Sequence, residues 1–282
     1  MAGLCWMAVT LVVFLSTENS LADVDQNQLA TFVQEVLNRY RPSYSVNGRP
    51  RFPMFSVAVS VPYDPKSKMY DINLVPDSGE QVRNEILNCN VYKSRRVVAA
   101  TVLRWPNVVS QCPQANVQWP DVLRKCPKGV KTWADVKTSC PRAVNEGKAD
   151  HAEFRTLQQL NTLVHSENDF LLFYVLASPC EGRCTNERNP LNILNKITEI
   201  KNWRNYAVVF SNIFKPREGG AIPEENLRES LARLGTKIGL NRIYRCNEQG
   251  PNKLVQCTSC SDGEQVTRYC YSDKRSAGRA GG

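Results

Sequence analysis

The chain has 282 residues, 42% of them hydrophobic and 22% charged, and carries a formal net charge of +9. That length and apolar content exclude a minimal scaffold held by disulfides alone and leave one large domain or two small ones around a sizeable core. The basic balance points to polyanionic partners such as nucleic acid, glycosaminoglycan or anionic microbial surfaces, without choosing among them.

Residues 1–22 read as an export signal. Leu4 to Leu15 is almost wholly apolar but falls short of the roughly 18 residues a bilayer span needs. Ser20-Leu21-Ala22 supplies small residues for cleavage before Asp23. The signal removes one acid, Glu18, and no base, so the mature chain is more basic still. No later segment is long enough to cross a membrane, and no stable membrane association is expected after cleavage. Export places the chain in an oxidising compartment, where cysteines pair.

Asn27 to Tyr40 carries Leu29, Phe32, Val33, Val36, Leu37 and Tyr40 at helical spacing, which predicts an amphipathic helix. Arg41 to Pro53 reads as a basic loop. Phe55 to Val61, Tyr70 to Val75 and the β-branched run Val97 to Leu103 read as strands. Next comes a repeat with a period of 14 residues. Trp105-Pro106 to Cys112-Pro113 recurs as Trp119-Pro120 to Cys126-Pro127 and as Trp133-Ala134 to Cys140-Pro141. Each unit predicts a short helical turn, capped by its Asn or Asp and stopped before Cys-Pro. Three cysteines cannot all pair among themselves, so one must reach outside, and Cys89 is the nearest candidate. The repeat reads as a disulfide-stapled insertion with buried Trp over residues 105–141. Lys125, Lys128, Lys131 and Lys137 add a second reading, a basic Trp-bearing surface for stacking bases or gripping a glycan.

Beyond the repeat, helix and strand alternate. Helices are predicted over His151 to His165, Pro190 to Trp203 and Pro223 to Leu234, the last stopped by Gly235. Strands are predicted over Phe170 to Leu176 and Tyr206 to Phe214. This alternation predicts βαβ units and a partly parallel sheet with helices packed on it. Cys246, Cys257, Cys260 and Cys270 form a C-terminal cluster whose spacing suits disulfides better than a zinc ribbon. Residues 278–282 read as a frayed tail.

Two strings carry chemistry: His151-Ala152-Glu153, and Pro179-Cys180-Glu181-Gly182-Arg183-Cys184. They offer one imidazole, two thiolates and a spare carboxylate, the donors of an open zinc site with a proton shuttle beside it. The two thiols follow a strand and open a helical segment, where thiol pKa falls. His165 lacks any such surrounding pattern and reads as a surface or core residue. Setting Cys180 and Cys184 aside, and Cys5 with the signal, leaves Cys89, Cys112, Cys126, Cys140, Cys246, Cys257, Cys260 and Cys270 for up to four disulfides in any of 105 connectivities. The competing reading pairs Cys180 with Cys184 in a disulfide and makes the protein a non-catalytic basic binding module.

His151-Ala-Glu153 with Pro179-Cys180-x3-Cys184 resembles the zinc-dependent nucleotide deaminase superfamily, and the order of strands and helices from about Phe55 to Leu234 is similar to its AID/APOBEC branch. An exported, cysteine-rich chain of this kind resembles the secreted AID/APOBEC-like deaminases, the SNAD group. The resemblance implies a three-layer α/β/α fold with a mixed five-stranded, cytidine deaminase-like sheet. The deaminase domain would span residues 23–245, interrupted by the insertion, with a Cys-rich extension over residues 246–282. It implies Zn2+ held by His151, Cys180 and Cys184, with Glu153 as the proton shuttle. Leu176-Ala177-Ser178-Pro179-Cys180 stands where the family often has Ser-Trp-Ser-Pro-Cys, so the family's Trp is missing. By position, Tyr44, Arg49 and Arg51 would lie in the first substrate loop, and Phe214, Lys215 and Arg217 after the fourth strand. The implied activity is deamination of cytosine to uracil in single-stranded DNA or RNA, with the target base unstacked. A free cytidine or nucleotide deaminase is the alternative activity.

Overall fold

The computed structural model describes residues 25–46, 48–216 and 220–273. The expected signal segment, Arg217 and the C-terminal tail lie outside the described residues. Among the described residues no helix is long and apolar enough to cross a membrane.

The chain opens with α1 (Gln26–Tyr40), capped by the Asp25 carboxylate, which accepts from the backbone N–H of Asn27 and Gln28. A mixed seven-stranded sheet follows, built from β1 (Phe55–Val61), β2 (Val91–Lys93), β3 (Val97–Thr101), β4 (Phe170–Ala177), β5 (Asn205–Asn212), β6 (Ile243–Gln249) and β7 (Leu254–Ser259). Their order across the sheet is β7-β6-β5-β4-β1-β3-β2. β4, β5 and β6 run parallel, and the remaining pairs are antiparallel. The family resemblance implies five strands; β2 and β7 are the additions, one at each edge. β7 forms because the C-terminal cysteine cluster folds back as a hairpin on β6, with Cys246 opposite Cys257 and bonded to it. The expected boundary at Cys246 therefore falls inside β6.

Both faces of the sheet are covered. Along β4, Phe170, Leu172, Tyr174 and Leu176 pack with Leu29, Phe32, Val33 and Val36 of α1 and with α2 (Gly79–Leu87). Leu171, Phe173 and Val175 pack on the other face with Leu157 of α6 (Ala152–Leu157) and with Leu231 and Leu234 of α7 (Glu224–Ile238). The period of two along the strand thus separates two cores and yields the three-layer α/β/α fold. Sequence patterning misses α2 because it buries only Val82 and Ile86. Its Gly79 passes so close to α1 that a Cβ would lie 2.5 Å from the Arg39 carbonyl oxygen.

Several expectations shift. Tyr70 to Val75 is not a strand: only Met69–Tyr70 pairs, and Ile72–Leu74 forms a 3-10 turn. The helix expected from His151 to His165 stops at Leu157, with a separate turn at Leu160–Thr162. Pro190 to Trp203 forms turns and the 3-10 segment Lys196–Asn202 rather than an α-helix. α7 runs through Gly235, where the missing side chain admits Leu240, and ends at Gly239, whose φ of +84° suits glycine.

Residues 105–148 fold as an insertion with its own core. It contains α3 (Asn107–Gln111), α4 (Pro120–Leu123) and α5 (Trp133–Ser139), one per repeat. Each unit buries its Trp and the Val three residues on: Trp105 with Val108, Trp119 with Val122, Trp133 with Val136. Cys112 reaches outside the repeat to Cys89, and Cys126 bonds Cys140. The Asn or Asp of each unit sits inside the first turn rather than at the cap, and only Asp135 shares in capping, through a box with Thr132. The foot of the insertion is closed by Leu103 pairing with Asp150 and Arg104 with Ala149.

Candidate active site

His151 follows that foot directly. It is the residue before α6, with extended backbone (φ −69°, ψ 150°), while Glu153 lies in the first helical turn. Residues two apart do not share a helix face, but the extended backbone at His151 lets both side chains converge. The imidazole Nδ1 lies 3.1 Å from Cys184 Sγ, 3.7 Å from Cys180 Sγ and 3.5 Å from Glu153 Oε1.

The cysteines come from the turn after β4. That strand ends at Ala177, where the Ser178 N–H donates to the Asn212 carbonyl of β5 at 2.8 Å. Ser230 of α7 donates its hydroxyl to the Pro179 carbonyl at 2.8 Å and meets Thr185 Oγ1 at 2.9 Å. The turn is not a helix start: Thr185 N–H returns to the Cys180 carbonyl, and the Cys184 N–H donates to Cys180 Sγ at 3.4 Å. Local backbone donation, rather than a helix N-terminus, therefore faces the sulfur. Both thiols are buried and free, with their sulfurs 3.3 Å apart. A disulfide would bring them to about 2.0 Å.

The ligand atoms of His151, Cys180 and Cys184 all lie within 4.8 Å of one another and could hold a metal ion. A tetrahedral site with Zn–S near 2.3 Å and Zn–N near 2.0 Å separates its ligand atoms by about 3.5–3.8 Å. The observed separations of 3.1, 3.3 and 3.7 Å fit such a cluster slightly contracted. Electrostatics favour a cation as well. Cys184, as the nearest hydrogen-bond partner, draws the Cys180 pKa down to about 4, against burial and with help from His151. The same contact, together with burial and the Glu153 carboxylate, pushes Cys184 up. Burial opposes a charge on His151, but hydrogen bonds to Cys180 and Glu153 outweigh it and push the imidazole up to about 10. Burial also penalises the Glu153 carboxylate, yet His151 and Cys184 hold it low. Two sulfurs and a carboxylate thus compete for the same few protons, an arrangement a bound cation relieves.

Arg155 locks α6 in place. It is buried, donates to the carbonyls of Thr101 and Cys89 and to Gln118 Oε1, and so ties the helix to β3 and to the insertion. Burial pushes its pKa down to about 10. Trp119 Nε1 donates to Asp150, the residue before His151, at 2.8 Å.

A cavity of about 600 Å³ opens over the site and is lined by His151 and Glu153. Phe214 and Lys215 line it as well, and the Phe214 N–H donates to Ser178 Oγ at 3.0 Å. Tyr44, Arg49 and Arg51 are not among the residues lining this cavity: they lie exposed on a small hairpin, Tyr44–Val46 paired with Arg49–Arg51. The expected basic loop therefore contains a β-hairpin. A second cavity of about 580 Å³ shares Arg104, Ala149, His151 and Phe214 with the first and adds Cys180 and Arg183. His165 packs edge-on against Trp203, away from both.

Sequence reasoning missed Arg104, Asn212, Arg245 and Asp273 in the first cavity. Arg245 left a signal, a charge between Tyr244 and Cys246 in an apolar run. Its guanidinium is buried and holds the Ser211 and Tyr269 carbonyls and the Asp273 carboxylate, which also pairs with Lys215 at 3.0 Å.

This sheet, with a His-x-Glu helix start facing a Pro-Cys-x3-Cys turn, defines an AID/APOBEC-like deaminase fold. Residues 130–274 match the family model for Secreted Novel AID/APOBEC-like Deaminase 1, just over half of the chain, and the protein belongs to that family. No curated protein and no solved structure matches it. The four disulfides among the described residues are consistent with an extracellular setting.

Proposed function

We propose that the protein is a secreted zinc-dependent deaminase that converts cytosine to uracil in single-stranded nucleic acid. The observation that carries this reading is the convergence of His151, Cys180 and Cys184 with a buried, spare carboxylate beside a cavity large enough for a base. Zinc held by these three donors would acidify water to serve as the nucleophile near neutral pH. The remaining work falls to the chain. Glu153, held at hydrogen-bond range of the donor cluster, takes one proton from water to the ring nitrogen and then carries the proton of the new C4 hydroxyl to the departing amine. Water adds to C4, the C4–N bond breaks, and ammonia leaves. Ser178 and Asn212 fix the cavity wall after β4 and β5, so that Phe214 flanks the base. Lys215 offers a charge at the cavity, and Tyr44, Arg49 and Arg51 on the exposed hairpin, with Arg217 outside the described residues, are positioned in sequence to meet flanking nucleotides.

The test joins zinc stoichiometry with release of uracil from a cytosine-bearing oligonucleotide. Glu153→Gln should retain one zinc per chain and lose turnover, and undiminished turnover would refute the shuttle. Activity on oligonucleotide should fall steeply with salt; equal turnover on free cytidine, indifferent to salt, would replace the polymer reading.

A further inference from the structure

The insertion leaves a charge pattern that the active site does not use. Its three tryptophans are buried in its own core, so they are unavailable for stacking. What it exposes instead is Arg124, Lys125, Lys128, Lys131 and Lys137. Across residues 105–148 seven basic side chains stand against three acids, Asp121, Asp135 and Glu146, a net charge of +4. Asp121 pairs with Lys148 at the foot, and Asp135 accepts from the Lys131 and Thr132 N–H groups as a helix cap. The insertion's surface therefore keeps a net positive charge after its own acids are counted. It is also stiff, being closed by the Cys126–Cys140 bridge, tied to the body by Cys89–Cys112, and pinned to α6 through Gln118 and Arg155. Finally, it adjoins the site, since its foot residues Arg104 and Ala149 line both cavities.

We propose that this insertion is a separate anchoring surface for single-stranded nucleic acid, gripping phosphates outside the cavity while a base occupies the site. A strand leaving the cavity over the Arg104–Ala149 foot continues onto the insertion. With the aromatic rings withdrawn, the grip is electrostatic and indifferent to sequence, and it grows with strand length. The proposal rests on the nucleic-acid reading above but is tested by binding rather than turnover.

Fluorescence anisotropy with thymidine-only oligonucleotides of about 8 and about 24 residues compares the short and long grips. A combined Lys125→Gln, Lys128→Gln, Lys131→Gln, Lys137→Gln protein should lose about 10-fold or more in affinity for the long strand. Its salt slope should fall by about 2–3, since each phosphate contact on a single strand contributes about 0.7. A protein with Lys66, Lys93, Lys201 and Lys253 changed to Gln carries the same charge loss on other exposed positions and should keep the long-strand advantage. Equal losses in the two proteins would overturn the anchor in favour of net charge. Unchanged oligonucleotide affinity with loss of heparin binding would overturn it in favour of a glycan dock. If the expected binding loss appears but the wild-type protein releases no uracil, the anchor stands and the deaminase reading fails.

Discussion

In the turn after β4, Cys180 and Cys184 bring their sulfurs to 3.3 Å and remain thiols; in the insertion, Cys126 and Cys140 close a bridge across 14 residues of sequence. The two regions solve different problems. The turn inherits its shape from a buried eight-residue strand and from Ser230 of α7, so its position does not rest on a disulfide. The insertion has helices of only five, four and seven residues around three tryptophans. Segments that short bury too little to hold themselves, and covalent closure removes much of the unfolded loop's freedom. One chain can thus commit some cysteines to staples and leave two free in a group that could hold a metal, because the surrounding fold decides which sulfurs find a partner.

The largest effect is expected from breaking the thiol pair. Cys184→Ser should weaken zinc binding by well over about 100-fold, the upper cost of losing a mere supporting contact, and reduce uracil release to background. Zinc retention by that variant would show that the turn is no metal site and would erase the contrast. Trp133→Ala should destabilise the insertion by about 3–5 kcal/mol, because a fully buried indole leaves a large cavity. Hydrogen exchange should then quicken over residues 105–148 while zinc stoichiometry stays at one. Loss of zinc along with it would show that the two regions fold as one unit.

The Cys126→Ser, Cys140→Ser double variant should cost about 3 kcal/mol, as expected for a loop of this size, and should lower the Tm without disturbing the other disulfides. No change in Tm would mean that the tryptophan core suffices. The smallest effect belongs to Asp121 at the foot. The Lys148 ammonium holds its carboxyl below the usual carboxylate range. Such a pair contributes fully above the unfolded pKa near 4 and is lost as pH falls through the lower folded value. Both side chains are partly exposed, so Asp121→Asn should cost under about 1 kcal/mol near neutral pH, a cost that vanishes in acid once the carboxyl is protonated. A cost that persists in acid would mean that Asp121 acts by packing rather than by charge.

Much of this could be read in advance. The core face of α1, the strands β1 and β4, the pairing of Cys89 with the repeat, and the two strings of the site all follow from periodicity, cysteine parity and donor chemistry. The misses share a cause. α2 was hidden because it turns only Val82 and Ile86 inward, and its approach to α1 depends on Gly79. Lys196–Asn202 looked helical, yet Pro190 and the succession of Asn-based turns before it give the backbone other hydrogen-bond partners. Arg155 and Arg245 are buried because carbonyls from other segments converge on them, which no local pattern shows.

By itself, then, the sequence determined the class of fold, which cysteines were candidates for metal, and a mobile choice of partners for the rest. These depend on patterns within a few residues, where side-chain direction follows from backbone period. The buried Trp of the repeat was legible too, but tertiary structure alone decided that the C-terminal cysteines extend the sheet and that Arg104, Arg245 and Asp273 share a cavity with His151 and Glu153. The cavity draws together residues from Arg104 to Asp273, and no local period encodes such a meeting.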